Sequence, residues 1–184
     1  ERARAHLGRA GGMRVLDDFD GAFRELDAAQ ALAAGAGLDA LRAQCHFMRG
    51  NLCFPLGRLD ECQAEHTAAL DAARSCGRVD LEVQALGGLG DAAYIRGRIR
   101  TANANFTLCV ELAHANGFGR IEVANWPMVA WSALLLGDYA GARTNAEQAR
   151  LAAERVGDDR SAIIAWNAVA MLALDDGDAD AAVA

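Results

Sequence analysis

Gly137-Asp138-Tyr139-Ala140 is the stretch that decides the fold, because a glycine-led segment of this kind recurs every 40 residues. The other members of the series are Gly57-Arg58-Leu59-Asp60, Gly97-Arg98-Ile99-Arg100 and Gly177-Asp178-Ala179-Asp180. A second glycine series keeps the same spacing, at Gly37, Gly77, Gly117 and Gly157. Two glycine series in one register indicate an internal repeat.

The repeating unit is predicted to be a pair of helices. Between the glycines, apolar residues are spaced by three and four, which is the helical period. Glycine readily adopts the left-handed conformation that ends a helix, so each series marks helix termini. The predicted helices are residues 1–16, 19–34, 40–56, 59–75, 80–96, 99–116, 121–136, 139–156 and 161–175. The corresponding repeats are approximately 1–38, 39–78, 79–118, 119–158 and a truncated 159–184.

Small residues also recur with the period, for example at Ala22, Cys62, Ala102 and Ala142. Two helices approach to about 8 Å only where the contact residues are small, so these positions predict close packing within each pair. A helix pair leaves one apolar face open and must stack on its neighbours. We therefore expect one all-α domain over residues 1–184, a right-handed α-solenoid of about 4.5 antiparallel helix pairs. A chain that starts and ends inside a repeat is expected to be a fragment of a longer one.

Composition excludes several classes of protein. The chain has 184 residues, a formal charge of −7 and 18 basic residues, all of them arginine. This acidic balance disfavours direct contact with nucleic acid, which needs clustered positive charge. No apolar run is long enough to span a membrane, and no signal segment is evident, so a cytoplasmic location is expected. The five cysteines lack metal-ligand spacing and are interpreted as reduced thiols.

The segment around Gly137 resembles the tetratricopeptide repeat signature. A large residue, Trp126, is followed four residues later by the small Ala130, then by Gly137-Asp138-Tyr139 at the turn and by Ala142. The usual tetratricopeptide unit has about 34 residues, so this unit is lengthened. In that length it is similar to the helical sensor arrays of large ATP-dependent LuxR-type transcriptional regulators. The resemblance implies an array that binds an inducer or partner and controls self-association.

No catalytic or cofactor-binding motif is evident. A phosphate-binding loop of the lysine-containing type is excluded because the chain has no lysine. The glycine-rich Gly87-Gly88-Leu89-Gly90 is better explained by close helix packing. The four histidines lack a third ligand or a nucleophile, so packed histidines are favoured over a metal or catalytic pair. We expect no enzymatic activity, no metal and no cofactor.

The concave side, lined by the first helix of each pair, is the predicted site. Helical projection places these residues there: Gln44, Phe47, Asn51, Phe54, Gln84, Asp91, Tyr94, Pro127, Trp131, Leu134, Asn167 and Met171. Aromatic, apolar and amide groups suit a protein, a peptide or a small organic ligand. The alternative is that much of this stripe packs against other groove residues or against neighbouring modules of the full protein. Pro127, inside a helix, further predicts a kink and a recess beside Tyr94 and Trp131.

Three functions remain open from the sequence. The first is a sensor module of a LuxR-type regulator, and the second is a general protein-binding scaffold. The third is a repeat array attached to a nucleotidyl cyclase or another signalling ATPase. The truncated last repeat is expected to expose Ile163, Ile164, Val169 and Leu172, which would allow two chains to associate there.

Overall fold

A computed structural model describes residues 1–178 and Ala182, and all regular secondary structure within that range is helical. The helices are α1 (Arg2–Val15), α2 (Phe19–Gly35), α3 (Asp39–Cys53), α4 (Leu59–Ser75), α5 (Val79–Ile95), α6 (Ile99–Ala115), α7 (Gly119–Leu135), α8 (Tyr139–Val156) and α9 (Asp159–Asp175). The predicted bounds of α4 and α8 are confirmed, and the others agree within three residues. The largest difference is at α3, which ends at Cys53 because Pro55 has no N–H to continue the hydrogen-bond ladder.

Glycines in the left-handed conformation end the helices, as the two series predict. All eight series glycines have positive φ, between 63° and 79°. At Gly57, for example, the next amide, Arg58 N–H, donates to Cys53 O at 3.0 Å and closes the helix end. In the first repeat Asp17 takes the equivalent position with φ 58°. Aspartate is among the few other residues that tolerate this region.

Aspartate caps start several helices. The side chains of Asp18, Asp138 and Asp158 each accept a hydrogen bond from the amide three residues later. Such a cap satisfies one of the amides that have no partner inside the helix. In these copies the turn therefore ends one helix with a residue in the left-handed conformation, Asp17, Gly137 or Gly157, and starts the next with a carboxylate.

The first compact unit comprises residues 1–92. Helices α1 and α2 form one antiparallel pair and α3 and α4 another, with α5 contributing its residues up to Ala92. Ala10, Ala22, Leu26 and Leu52 form one of its core clusters. The small side chains of Ala22 and Cys62 are fully buried, which confirms their predicted packing role.

The second compact unit comprises residues 93–184, described here to Asp178 and at Ala182. Phe106 and Val129 are central to one core cluster, against which Trp126 packs. A second cluster joins α7, α8 and α9. Leu172 belongs to it and is 2% exposed, so the expectation that it is uncovered is wrong. Its neighbours on α7 and α8 suffice to bury it.

The rest of the predicted apolar surface on α9 is present in part. Ile163 is 61% exposed, whereas Ile164 and Val169 are half-buried. The corresponding residue one repeat earlier, Val123, is buried against Ala152 and Ala153 of α8. Self-association through this end of the chain stays a prediction.

Candidate functional site

The predicted groove residues of the first unit lie on α3 and α5 at or near the surface. Phe54 and Asp91 are exposed. Phe47 is half-buried, with its ring centroid 5.6 Å from that of His66. Gln44, Asn51 and Gln84 are half-buried as well. All six side chains are therefore at least partly exposed to solvent, and four of them are also partly packed against the rest of the unit.

In the second unit the predicted residues lie mainly on α7 and α9. Trp131 and Leu134 are half-buried, Asn167 and Met171 are exposed, and Tyr94 is half-buried at the end of α5. The Trp131 indole N–H donates to Ile164 O at 3.1 Å, which fixes the ring between α7 and α9. Leu174, one turn after Met171, is 53% exposed.

Pro127 differs from the other predicted groove residues because it is fully buried. Helix α7 continues through it as a single helix from Gly119 to Leu135. A buried ring cannot line a ligand recess, so Pro127 belongs to the interior in this structure. The predicted recess beside Tyr94 and Trp131 stays a prediction.

The first helices of the second unit carry no charge over most of their length. Helix α7 has no charged residue from Val123 to Leu135, and α9 has none from Ser161 to Leu174. The second helix between them, α8, carries Arg143, Glu147, Arg150, Glu154 and Arg155. An uncharged stretch that still exposes large apolar side chains is typical of a surface that contacts a partner. We call the exposed part of α7 and α9 that includes Trp131, Leu134, Asn167, Met171 and Leu174 the first-helix face.

A pocket of about 320 Å³ lies on the other side of α7, between α6, α7 and α8. Its lining residues are Thr107, Val110, Glu111, His114, Glu122, Trp126, Val129 and Asn145. Trp131 follows Trp126 by five residues, which is a rotation of about 140° around the helix axis. The pocket and the first-helix face therefore occupy different sides of α7.

Two polar contacts organise this pocket. The Trp126 indole N–H donates to Asn145 Oδ1 at 3.1 Å, and Asn145 Nδ2 donates to Gly141 O at 2.8 Å. His114 Nδ1 lies 2.9 Å from Glu122 Oε1, with the imidazole 76% exposed and the carboxylate 15% exposed. The indole is thus held in place, and Glu122 is largely buried at the pocket wall. None of the predicted groove residues lines this pocket.

His6 and His46 are structural residues that link the two helices of a repeat. His6 Nδ1 lies 2.7 Å from Glu25 Oε2, and His46 Nδ1 lies 2.7 Å from Glu65 Oε2. Hydrogen bonds from Arg9 and then His6 lower the pKa of Glu25. Trp126 and Asn145 form the corresponding pair, 19 residues apart, in a later repeat. Within the described residues no cluster of three or more histidine, cysteine or acidic side chains could hold a metal ion.

His66 is a histidine buried in the interior of the first unit. It is 1% exposed, and within the described part of the chain its Nδ1 has no hydrogen-bond partner. A methyl group added to Gly88 would lie 2.3 Å from its ring, and one added to Gly50 would lie 2.7 Å away. The glycine-rich stretch therefore serves close packing, as predicted. Burial lowers the pKa of His66 to about 4, opposed by the nearby Glu65 carboxylate.

None of the described helices combines the length and apolarity needed to cross a membrane. Among the described residues no cysteine forms a disulfide, and burial raises the pKa of Cys45 and of Cys53. Their thiols therefore stay protonated at neutral pH, which makes them weak nucleophiles.

Two solved structures share this arrangement of helices. One is a signal transduction ATPase with numerous domains and a tetratricopeptide repeat sensor, from Pyrococcus horikoshii. It matches 94% of this chain and 27% of its own, with a TM-score of 0.79 at 16% identity. The other is a Rap protein complexed with competence and sporulation factor, which matches 99% of this chain and 51% of its own, also with a TM-score of 0.79 at 16% identity.

The fold is a tetratricopeptide-like α-solenoid. The predicted fold class is therefore confirmed, while identities of 16% establish the fold alone. This chain spans about a quarter of the first protein and half of the second. No family model matches the sequence, and no curated protein matches it.

Proposed function

We propose that this chain is a non-catalytic interaction module that binds a peptide or a helical segment of a partner protein on its first-helix face. The observation that carries the proposal is the uncharged, partly exposed surface of α7 and α9. Met171 and Leu174 are 46% and 53% exposed there, in a helix with no charged side chain for 14 residues. Leaving large apolar groups in water is unfavourable by about 25 cal/mol per Å², so covering them favours association.

The arrangement of this face suits a linear segment. Met171 adapts its shape to an apolar side chain, because its unbranched thioether rotates freely. Trp131 supplies a rigid wall, since its indole N–H is held by Ile164 O. Asn167 is exposed one turn before Met171 and can donate to or accept from a peptide backbone. Apolar side chains beside an amide group can give affinity for a peptide and can also fix the position of the peptide along the surface.

The residues on α3 and α5 extend the proposal to the first unit. In the first unit, Gln44, Phe47, Asn51, Phe54 and Gln84 offer aromatic and amide groups, and Asp91 adds a carboxylate. Tyr94, at the end of α5 in the second unit, adds a further aromatic group. Phe54 and Asp91 are the most accessible of them. A protein or peptide ligand is favoured over a small-molecule inducer, because the exposed apolar groups are spread along helices.

We further propose that the module acts as a sensor within a larger signalling protein of the LuxR type. Support comes from the lengthened repeat and from the similar fold of a signal transduction ATPase with a tetratricopeptide repeat sensor. The other similar structure, a Rap protein, is complexed with competence and sporulation factor. A general scaffold, or an array attached to a nucleotidyl cyclase, is the alternative. Genomic sequence that encodes a helix-turn-helix domain in the same reading frame would favour the regulator.

The test is selection from a phage-displayed library of random 12-residue peptides, followed by binding measurements on variants. Met171→Arg places a charge on the first-helix face and should reduce peptide affinity at least tenfold. Leu151→Arg is the matched control, because Leu151 is 43% exposed on α8 and Met171 is 46% exposed on α9. Both positions are at the surface, so both variants should fold.

Two results would contradict the proposal. One is a selection in which no peptide is enriched over an unrelated helical protein. The other is a set of enriched peptides that tolerate Met171→Arg but lose affinity in Leu151→Arg, which would place the binding surface on the second helices.

A further inference from the structure

The pocket between α6, α7 and α8 is not used by the proposed function, and its chemistry is distinct. Two of its lining residues, Glu111 and Glu122, carry carboxylates, and neither lysine nor arginine lines it. Within the described residues Glu111 forms no ion pair, and Glu122 forms one only with the imidazole of His114. The pocket lining therefore carries two carboxylates and no permanent positive charge.

In the preceding repeat, the carboxylate that corresponds to Glu122 is paired with an arginine. Arg74 and Glu82 stand 40 residues before His114 and Glu122, and Arg74 Nε donates to Glu82 Oε1 at 2.7 Å. A guanidinium is always charged, so the carboxylate of Glu82 is neutralised within the protein. In the next repeat His114 replaces this arginine. Glu122 therefore lacks a permanent counter-ion within the protein and can pair with the cation of a ligand.

A second substitution at the same place adds an aromatic wall. The residue that corresponds to Trp126 is Leu86, which is 2% exposed. Trp126 lines the pocket, and its ring is fixed by Asn145. Indole is the best of the natural rings at attracting a cation through its π-electron face. The two changes act together, because one leaves a carboxylate without a permanent counter-ion and the other brings an aromatic ring beside it.

We propose that this pocket binds an organic cation of the amine or guanidine class, with its charge at Glu122 and Glu111 and its apolar part against Trp126, Val110 and Val129. The volume of about 320 Å³ is at the lower end of the range for small-ligand pockets. Val110 and Val129 are 9% and 7% exposed and offer an apolar floor. Glu122, at 15% exposure, is shielded enough for its attraction to a cation to exceed that of a surface pair.

Three probes of one shape and different charge test this proposal: benzylamine, benzyl alcohol and benzoate. Binding is followed by the ¹⁵N NMR signal of the Trp126 indole N–H, assigned with Trp126→Phe. We expect benzylamine to bind about tenfold more tightly than benzyl alcohol, and benzoate to bind more weakly than either. Equal affinity of benzylamine and benzyl alcohol overturns the proposal.

Two variants locate the charge. Glu122→Gln removes a carboxylate, and His114→Arg restores the arginine seen at Arg74. Each should reduce the affinity for benzylamine to that for benzyl alcohol. Glu147→Gln is the control, because Glu147 lies on α8 outside the pocket and pairs with Arg150. Unchanged benzylamine affinity in both pocket variants would overturn the proposal.

The cation can be a free small molecule or the lysine side chain of a partner. Comparing n-butylamine with the tripeptide acetyl-Gly-Lys-Gly-amide separates these sources. Tighter binding of the tripeptide assigns the pocket to a partner protein, and tighter binding of n-butylamine assigns it to a metabolite. Both results support a cation site. If neither probe binds at a concentration of about 10 mM, which corresponds to a binding free energy of only about −3 kcal/mol, the proposal is rejected.

Discussion

Lowering the pH should destabilise this protein through one residue, His66. The imidazole is almost completely buried between Gly50 and Gly88, and its pKa is about 4 in the folded chain. In the unfolded chain the pKa returns to about 6.5. Because the folded-state pKa is the lower one, the unfolded chain takes up the proton first as the pH falls. His66 therefore has no effect above pH 6.5 and reduces stability progressively between pH 6.5 and 4.

The size of this effect follows from the difference between the two pKa values. Stability changes by about 1.4 kcal/mol per pH unit while only the unfolded state is protonated. Between pH 7.5 and 5.5 the contribution of His66 is then between about 1 and 2 kcal/mol. This pH range stays above the isoelectric point, which is near 5.0, so the net charge of the chain does not change sign within it.

Urea unfolding followed by circular dichroism at pH 7.5, 6.5 and 5.5 measures the change. His66→Leu is the matched variant, because Leu26 occupies the same position in the first repeat and is fully buried. A hydrogen bond from Arg58 lowers the pKa of acidic groups such as Glu61, so these groups lose their stabilising contribution only below the ordinary value of 4.5, outside this range. They remain in the variant, so the difference between the two pH profiles isolates His66. The variant should also avoid leaving Nδ1 without a partner, a cost of about 1–3 kcal/mol.

The reasoning is refuted if the wild-type protein and a folded His66→Leu variant lose the same free energy of unfolding between pH 7.5 and 5.5. Titration of the His66 ring near its ordinary pKa in an NMR experiment on the folded protein would refute the reasoning as well. Either outcome would mean that the ring is hydrated or hydrogen-bonded in the folded state.

Two further substitutions test the packing and the helix ends. Gly88→Ala should destabilise the fold by about 1–3 kcal/mol in urea unfolding, because the new methyl group meets the buried ring of His66. The control Gly8→Ala meets nothing within 4 Å in α1 and should stabilise by up to about 1 kcal/mol, so equal effects of both would contradict the packing account. Asp138→Ala should cost about 1 kcal/mol by removing the acceptor for Gly141 N–H, while Asp138→Asn should cost little, and indistinguishable melting curves for these two would exclude a capping role.

The fold was predictable from the sequence because its determinants are local and repeated. Each series glycine ends a helix through its own backbone conformation, so the positions of Gly57 and Gly137 bound the helices directly. The small residues at Ala22 and Cys62 then specify close packing within a pair. None of these inferences needs contacts between distant parts of the chain.

The details of the sites depend on such contacts and were only partly predictable. Helical projection placed Trp131 and Met171 on one side of their helices, but it could not show that the surroundings of α7 bury Pro127. Leu172 is predicted at the surface because its repeat is truncated, but α7 and α8 alone bury it. Burial of a helix position is a property of its neighbours.

The pocket beside Trp126 was missed because three helices from two repeats form it. A signal was present nevertheless in the repeat alignment. The pair Arg74 and Glu82 becomes His114 and Glu122 one period later, a change that removes a permanent positive charge. Comparing paired positions between repeats, in addition to single positions, would have identified this site.

The most direct test of the central claim is to locate a bound peptide with the tryptophan indole signals of a ¹⁵N-labelled chain. Trp131 reports on the first-helix face and Trp126 on the opposite side of α7. Binding on the first-helix face predicts that a selected 12-residue peptide shifts the Trp131 signal and leaves that of Trp126 in place. A peptide that shifts Trp126 alone would contradict it.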